Sequence, residues 1–142
     1  MLAGAVSAVL CQRLVRLLCP QCKVRYRPDR ETLRRANLPA ERIKHFYRAP
    51  GDEATGRGAR RARACTHCAG SGYRGRTGIF ELLIVTDRVR ELLSADRPNW
   101  NAVRQEALRG SMRPLQEDGL RQVIEGTTSI QELLRVSRLP GE

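Results

Sequence analysis

Two cysteine steps of the same form, Cys19-Pro20-Gln21-Cys22 and Cys65-Thr66-His67-Cys68, constrain this chain more than any other feature. Two residues between cysteines let both sulfurs of one turn face one ion, and two such turns supply the four thiolates of a tetrahedral zinc site, with Zn–S distances of about 2.3 Å. A site filled by four protein ligands keeps no open position for a substrate or an activated water. The expected metal is therefore structural Zn²⁺ on Cys19, Cys22, Cys65 and Cys68. Paired steps in zinc sites commonly lie about 15–20 residues apart, whereas here Lys23 to Ala64 intervene, so the chain must leave the first turn and return. Two disulfides or a redox-active CxxC are the rivals. Two steps without an alternating strand and helix pattern around them favour metal. Cys11 is left over, and in its apolar stretch it is expected to pack in the core as a small hydrophobe.

The rest of the composition narrows the class of protein. A chain of 142 residues has room for one ordinary domain or two very small ones. Basic residues outnumber acidic ones 26 to 15, and all but Lys23 and Lys44 of them are arginine, which gives a formal charge of +11. That surplus favours nucleic acid, an acidic membrane surface or an acidic protein partner, but arginine-rich codon usage produces the same excess. Only Trp100, Tyr26, Tyr47, Tyr73, Phe46 and Phe80 are aromatic, poor provision for stacking on bases. Nucleic acid is thus not the expected partner, and a zinc-ribbon nucleic-acid-binding module stands as the alternative reading. The apolar start, Leu2 to Cys11, is shorter than the roughly 20 residues of a membrane span. It also lacks the preceding basic stretch and the cleavage site of a signal peptide. The expected location is cytoplasmic, where thiols stay reduced, either free or peripheral at the inner membrane.

Along the chain, Val6, Val9, Leu10, Leu14, Leu17 and Leu18 recur by threes and fours and predict an amphipathic helix over Leu2 to Leu18, stopped by Pro20. Tyr26 to Pro28 reads as extended. Asp29 is the predicted N-cap of a short helix to Asn37, and a second short helix is expected from Ala40 to Phe46. Pro50 to Ala64, with the arginines of Arg57 to Arg63, has no apolar period and reads as a flexible loop. Ile79 to Val85 is β-branched and apolar and predicts a strand. Beyond it, Thr86 or Asp87, then Asn99 or Asn101, cap two helices. Pro114 opens a third that Gly126 stops, and Ser129-Ile130-Gln131-Glu132 has the form of a capping box for a fourth. Gly119 lies within its helix at a cost of about 1 kcal/mol against alanine, which points to close packing or a bend there.

Catalytic patterns are missing from this sequence. There is no GxxxxGK[ST] phosphate loop, and Gly56-Arg57-Gly58 runs into arginines without the lysine and hydroxyl that phosphate and Mg²⁺ require. His45 and His67 form no recognisable order with a nucleophile. Within its CxxC step His67 reads as an exposed spacer, because the four cysteines already fill a zinc site. Glu117 and Asp118 read as solvated or paired with Arg113 and Arg121. No catalytic residue is assigned.

Several separate motifs, in order, carry a family resemblance. Gln12 to Leu18 running into Cys19-Pro20-Gln21-Cys22, then Cys65-Thr66-His67-Cys68 followed by Gly72-Tyr73-Arg74-Gly75-Arg76-Thr77-Gly78-Ile79-Phe80-Glu81-Leu82-Leu83, resemble the C-terminal region of the type II secretion and type IV pilus assembly ATPases. Gly110 to Leu115, Asp118-Gly119-Leu120, Gly126 to Ser129 and Glu132 with Arg135-Val136 resemble the helical tail of the same family. A shorter likeness, Cys65 to Gly72 to the CxxCxGxG repeat of Hsp40 chaperones, covers eight residues and lacks its glycines after Cys22.

The resemblance implies a fragment or truncated relative of a hexameric cytoplasmic motor that uses ATP to drive protein secretion or pilus assembly. Its partners would be the ATPase core, neighbouring subunits and inner-membrane secretion or pilus proteins. ATP belongs to the family and is not expected to bind, or to be hydrolysed by, this chain alone. The expected fold class is α+β, mainly α-helical, with a small tetracysteine subdomain, a short β element and a helical tail. The expected division is residues 1–18 as a helix ending the ATPase core, 19–85 as the zinc subdomain with its arginine-rich insertion near 50–64, and 86–138 as the helical subdomain.

Overall fold

Two long strands that pair across most of the sequence frame the molecule. The computed structural model describes residues 4–35, 43–50 and 65–137. The expected loop from Pro50 to Ala64 lies outside them except for Pro50, as do the ends of the two expected short helices between Ala36 and Arg42. Strand β1 (Ala8–Leu18) runs antiparallel to β4 (Tyr73–Ile84), in a register that sets Leu10 opposite Leu82, Val15 opposite Thr77 and Arg16 opposite Arg76, with a bulge between Arg16 and Leu18. A second, shorter pair joins β2 (Val24–Tyr26) to β3 (Phe46–Arg48). Five helices complete the described chain: α1 (Arg30–Arg35), α2 (Asp87–Leu93), α3 (Trp100–Arg109), α4 (Leu115–Ile124) and α5 (Ile130–Ser137).

The expected helix over Leu2 to Leu18 is thus corrected to a strand from Ala8. Its apolar residues satisfy a helical period, but the β-branched run of β4 offers a ladder partner, and tertiary pairing overrides local propensity. On one face Val15 and Ile79 are fully buried against Leu33, Phe46, Val123, Ile130 and Leu133. On the other face Leu10, Leu14, Phe80, Leu82 and Ile84 are 44–58% exposed, as the two-residue alternation of a strand requires. Cys11 is only half-buried, opposite Glu81, and outside the core clusters, so its expected core role is also corrected. Phe46 is in β3 and residues 43–45 are not helical. The second short helix is therefore not formed over its described residues, because Phe46 pairs with Tyr26 and meets its ring edge-on at 6.2 Å. The α+β class holds, while the long strand pair makes "mainly α-helical" true only in part.

The local signals of the helical part are realised. Thr86 accepts the Val89 N–H to cap α2, and Asn99 accepts the Ala102 N–H to cap α3. Asp29 accepts both the backbone N–H and the hydroxyl of Thr32 at 2.7 Å at the start of α1. Helices α2 and α3 bury Val89 and Val103 with Val85 in a small core of their own. Gly119 faces Leu133 so closely that a Cβ there would overlap its side chain. At Gly126, with φ +72°, a Cβ would lie 2.5 Å from the Tyr47 ring, and the left-handed backbone itself favours glycine.

The turn from Gly126 to Glu132 then grips the end of β1. Leu18 N–H donates to Thr127 O at 2.9 Å, and the Thr128 hydroxyl donates to Arg16 O at 2.8 Å. Ser129 accepts the Glu132 N–H at 3.1 Å, which is half of the expected capping box. The other half is diverted. The Glu132 carboxylate accepts the Arg16 backbone N–H at 3.1 Å and bonds from the guanidinium groups of Arg16 and Arg135 at 2.7–3.0 Å. Its side chain is fully buried, while those of Arg16 and Arg135 are 44% and 58% exposed. Burial alone would push the Glu132 carboxyl up. The hydrogen bonds from Arg135 and Arg16 outweigh it and hold the group at about 2, below its ordinary 4.5.

A carboxyl with a depressed folded value stabilises the fold above its unfolded value, and that stabilisation is lost as pH falls through the folded one. The Glu132→Gln variant is expected to unfold in urea with a stability loss of up to about 3 kcal/mol at pH 7. The gap from the parent chain should close as pH falls from about 4.5 to about 2. A gap that is constant across that interval would contradict the assignment.

Candidate metal centre

The first cysteine step follows directly from the strand frame. Where β1 ends, Cys19 N–H donates to Gly72 O at 2.9 Å, so the pairing with the chain preceding β4 continues one residue into the site. Cys19 O then accepts the Lys23 N–H at 3.0 Å and the Cys22 N–H at 3.4 Å, which closes a tight turn around Pro20 and Gln21. Lys23 fixes this turn to the rest of the molecule. Its ammonium donates to Gly126 O at 2.8 Å and lies 4.5 Å from the centre of the Tyr47 ring.

The second step is a single 3-10 turn, Thr66–Cys68. Cys65 O accepts the Gly70 N–H at 3.1 Å, and Cys68 O accepts both the N–H of Ser71 at 3.1 Å and its hydroxyl at 2.7 Å. The reversal needs left-handed backbone at Ala69, Gly70 and Gly72, with φ of 50°, 79° and 74°. Gly72 also has no room for a side chain, since a Cβ would come within 2.6 Å of Ala49 Cβ. Its N–H donates to Cys68 Sγ at 3.3 Å.

The two turns bring the four expected sulfurs together. All four lie within 4.8 Å of one another, with Cys19, Cys22 and Cys68 buried and Cys65 half-buried. Cys19 and Cys65 Sγ are 3.9 Å apart, and Cys22 and Cys68 Sγ 3.7 Å. Four thiolates at about 2.3 Å from one tetrahedral ion stand about 3.8 Å from each other, so the donor set has the size of a four-thiolate site. All four cysteines are free thiols, as is Cys11, which is not part of the cluster.

The thiols differ in acidity. Burial pushes Cys22 well up, and its bonds to Cys68, Cys19 and Cys65 add to the shift. Burial acts the same way on Cys68, but the Gly72 N–H and the bonds from Cys65, Cys22 and Cys19 bring it down to about 7. A thiophilic cation would displace the thiol protons as it bound.

His67 has a closer role than that of a spacer. Its Nδ1 is 3.3 Å from Cys19 Sγ, and Arg74 donates to its backbone carbonyl at 2.9 Å. With the proton on Nδ1 the ring donates to the sulfur and tempers its charge, an outer contact of the kind that orients metal ligands. No sequence signal marks this pair, which is separated by 48 residues. The Arg16–Glu132–Arg135 group, also missed by sequence reasoning, borders the same end of β1. Asp118 pairs with Arg121 at 2.8 Å and accepts the Phe80 N–H at 3.1 Å, a structural arrangement in line with its expected pairing.

Comparison with known proteins gives a continuous match. The family model described as type II/IV secretion system protein matches residues 1–135. The chain is 38% identical over 135 residues to the type IV pilus assembly ATPase PilB of Thermus thermophilus, covering 94% of this chain and 14% of that protein. It is 36% identical over 138 residues to type II secretion system protein E of Pseudomonas aeruginosa, covering 97% and 24% respectively. For type II secretion system ATPase E of Vibrio cholerae the identity is 34%, with the same two coverages of 97% and 24%. The chain thus spans about a quarter, or less, of the length of these relatives.

Titration of the reduced chain with Co²⁺ is expected to reach its end point at one ion per chain, with the sulfur-to-metal absorption of a four-thiolate site. Cys22→Ser should weaken binding at least about tenfold, and Cys11→Ser should titrate as the parent does. Equal loss in both variants, or no sulfur-to-metal band, would contradict the assignment.

Proposed function

Since the chain belongs to the type II/IV secretion system protein family, we propose that it is the zinc-stabilised C-terminal part of a secretion or pilus assembly ATPase, an accessory element of the motor. The observation that carries this reading is the four-sulfur cluster, which lies within the continuous family match and ties the base of the β1–β4 pair. Cys19, Cys22, Cys65 and Cys68 would hold Zn²⁺, and the bound ion would supply a crosslink between segments 46 residues apart. Everything else follows from the chain's own residues. Cys19 N–H and Gly72 O extend the strand pairing to the cluster, the Gly72 N–H donates to Cys68 Sγ, His67 Nδ1 lies 3.3 Å from Cys19 Sγ, and Lys23 ties the first turn to Gly126.

The exposed apolar face of Leu10, Leu14, Phe80, Leu82 and Ile84 supports packing against the ATPase core or a neighbouring subunit of a hexamer. Through that contact the domain would help carry ATP-driven movement to inner-membrane secretion or pilus proteins. No helix among the described residues is long and apolar enough to cross a membrane, and a cytoplasmic position, free or peripheral at the inner membrane, fits this role. With no phosphate loop in its sequence, the chain alone is not expected to turn over ATP.

Mass spectrometry of the natively purified chain should find one zinc per chain, chelation should lower its thermal midpoint, and ATP turnover should stay at background. A metal-free chain whose melting is indifferent to chelator would overturn the structural-zinc reading. ATP hydrolysis by the isolated chain would overturn the accessory role.

A further inference from the structure

Three guanidinium groups line one open cavity of about 430 Å³ beside the end of β1: Arg16, Arg76 and Arg135, with Leu14 as the apolar wall. Arg16 and Arg76 face each other directly in the strand register, a placement of like charges that destabilises a sheet unless something compensates it. Among the described residues only one carboxylate meets this group, the buried Glu132, and it bonds Arg16 and Arg135 but not Arg76. Arg76 forms no ion pair among the described residues. The cavity is therefore left with an excess of two positive charges.

Two of the three arginines are also held in place. Glu132 takes the Nε and Nη2 groups of both Arg16 and Arg135 and leaves the Nη1 group of each outside its bonds. Arg16 is further fixed by stacking over the Tyr73 ring at 4.1 Å, and Tyr73 in turn bonds Ser129 at 2.7 Å. An anion arriving here meets donors that are already oriented, so little side-chain freedom is lost on binding.

We propose that Arg16, Arg76 and Arg135 form a binding site for a phosphomonoester group. A phosphomonoester carries a charge of about −1.5 to −2 at pH 7, which balances the excess, whereas one carboxylate would balance half of it. Guanidinium forks bind phosphate oxygens in pairs. The cavity is larger than a bare phosphate needs, and Leu14 gives an attached organic group an apolar surface. The same headgroup chemistry is found in soluble phosphomonoesters and in phosphatidic acid.

The test is binding to the intact chain by calorimetry with inorganic phosphate and glycerol 3-phosphate, and by sedimentation with phosphatidylcholine vesicles with and without phosphatidic acid. Saturable binding is expected, weakened by added salt and at least about tenfold weaker in Arg76→Gln, whose thermal midpoint should be no lower than the parent's because Arg76 is exposed, unpaired among the described residues and opposite a like charge. Binding of the soluble esters identifies a soluble ligand, and binding confined to phosphatidic acid vesicles identifies a lipid headgroup. No saturable binding to any of these probes, or binding that Arg76→Gln leaves intact, would overturn the site.

Discussion

The residues from Arg16 to Cys19 are bonded from both sides, and the rest of the fold is arranged about that stretch. On one side lie the pairing with β4 and the Cys19–Gly72 bond; on the other, Thr127, Thr128 and Glu132 take up the backbone groups that a strand edge would leave open. An unpaired buried backbone group costs about as much as a lost hydrogen bond, so withdrawal of either side would leave that edge of the strand unsatisfied. The cluster of sulfurs begins one residue beyond Leu18, and the carboxylate anchor of α5 lies on the facing side. Segments from the first, middle and last parts of the described chain are fastened at one place.

This arrangement supports the proposed structural role of the sulfurs. Their surroundings among the described residues are a backbone amide, a histidine ring and a lysine that fixes the turn, and four thiolates would fill a tetrahedral zinc site. Cys22, whose thiol burial raises, is a poor ligand until a cation displaces its proton, so metal binding at the proposed site would be coupled to proton release. Glu132 works by a different route, since its charge is matched by half-exposed arginines and needs no metal. With zinc bound as proposed, the two fasteners would respond to different conditions, one to metal and thiol state, the other to acid.

What the sequence made legible was the part decided by neighbours in the chain. Thr86, Asn99 and Ser129 cap helices three residues on, Gly126 turns left-handed at the end of α4, and each CxxC fits within one turn. Glycine at 119 was readable as a close approach, though not that Leu133 is what approaches. The errors arose where a distant partner decided the outcome. Val9, Leu10, Leu14 and Leu17 fit a helix as well as a strand until β4 is placed beside them. Glu132 has the form of a capping-box residue, but Arg16, 116 positions away, claims its carboxylate. Likewise His67 reads as a spacer until the two turns meet and its ring reaches Cys19.

Amide hydrogen exchange of the zinc-loaded and the chelated chain, compared residue by residue, tests most directly whether the sulfur cluster locks the Arg16–Cys19 stretch. The account predicts that removing zinc speeds exchange at least about tenfold at Cys19, Lys23, Gly70 and Gly72 and extends to Leu18, while the capped helices α2 and α3 stay protected. Equal protection at those amides with and without zinc would contradict it.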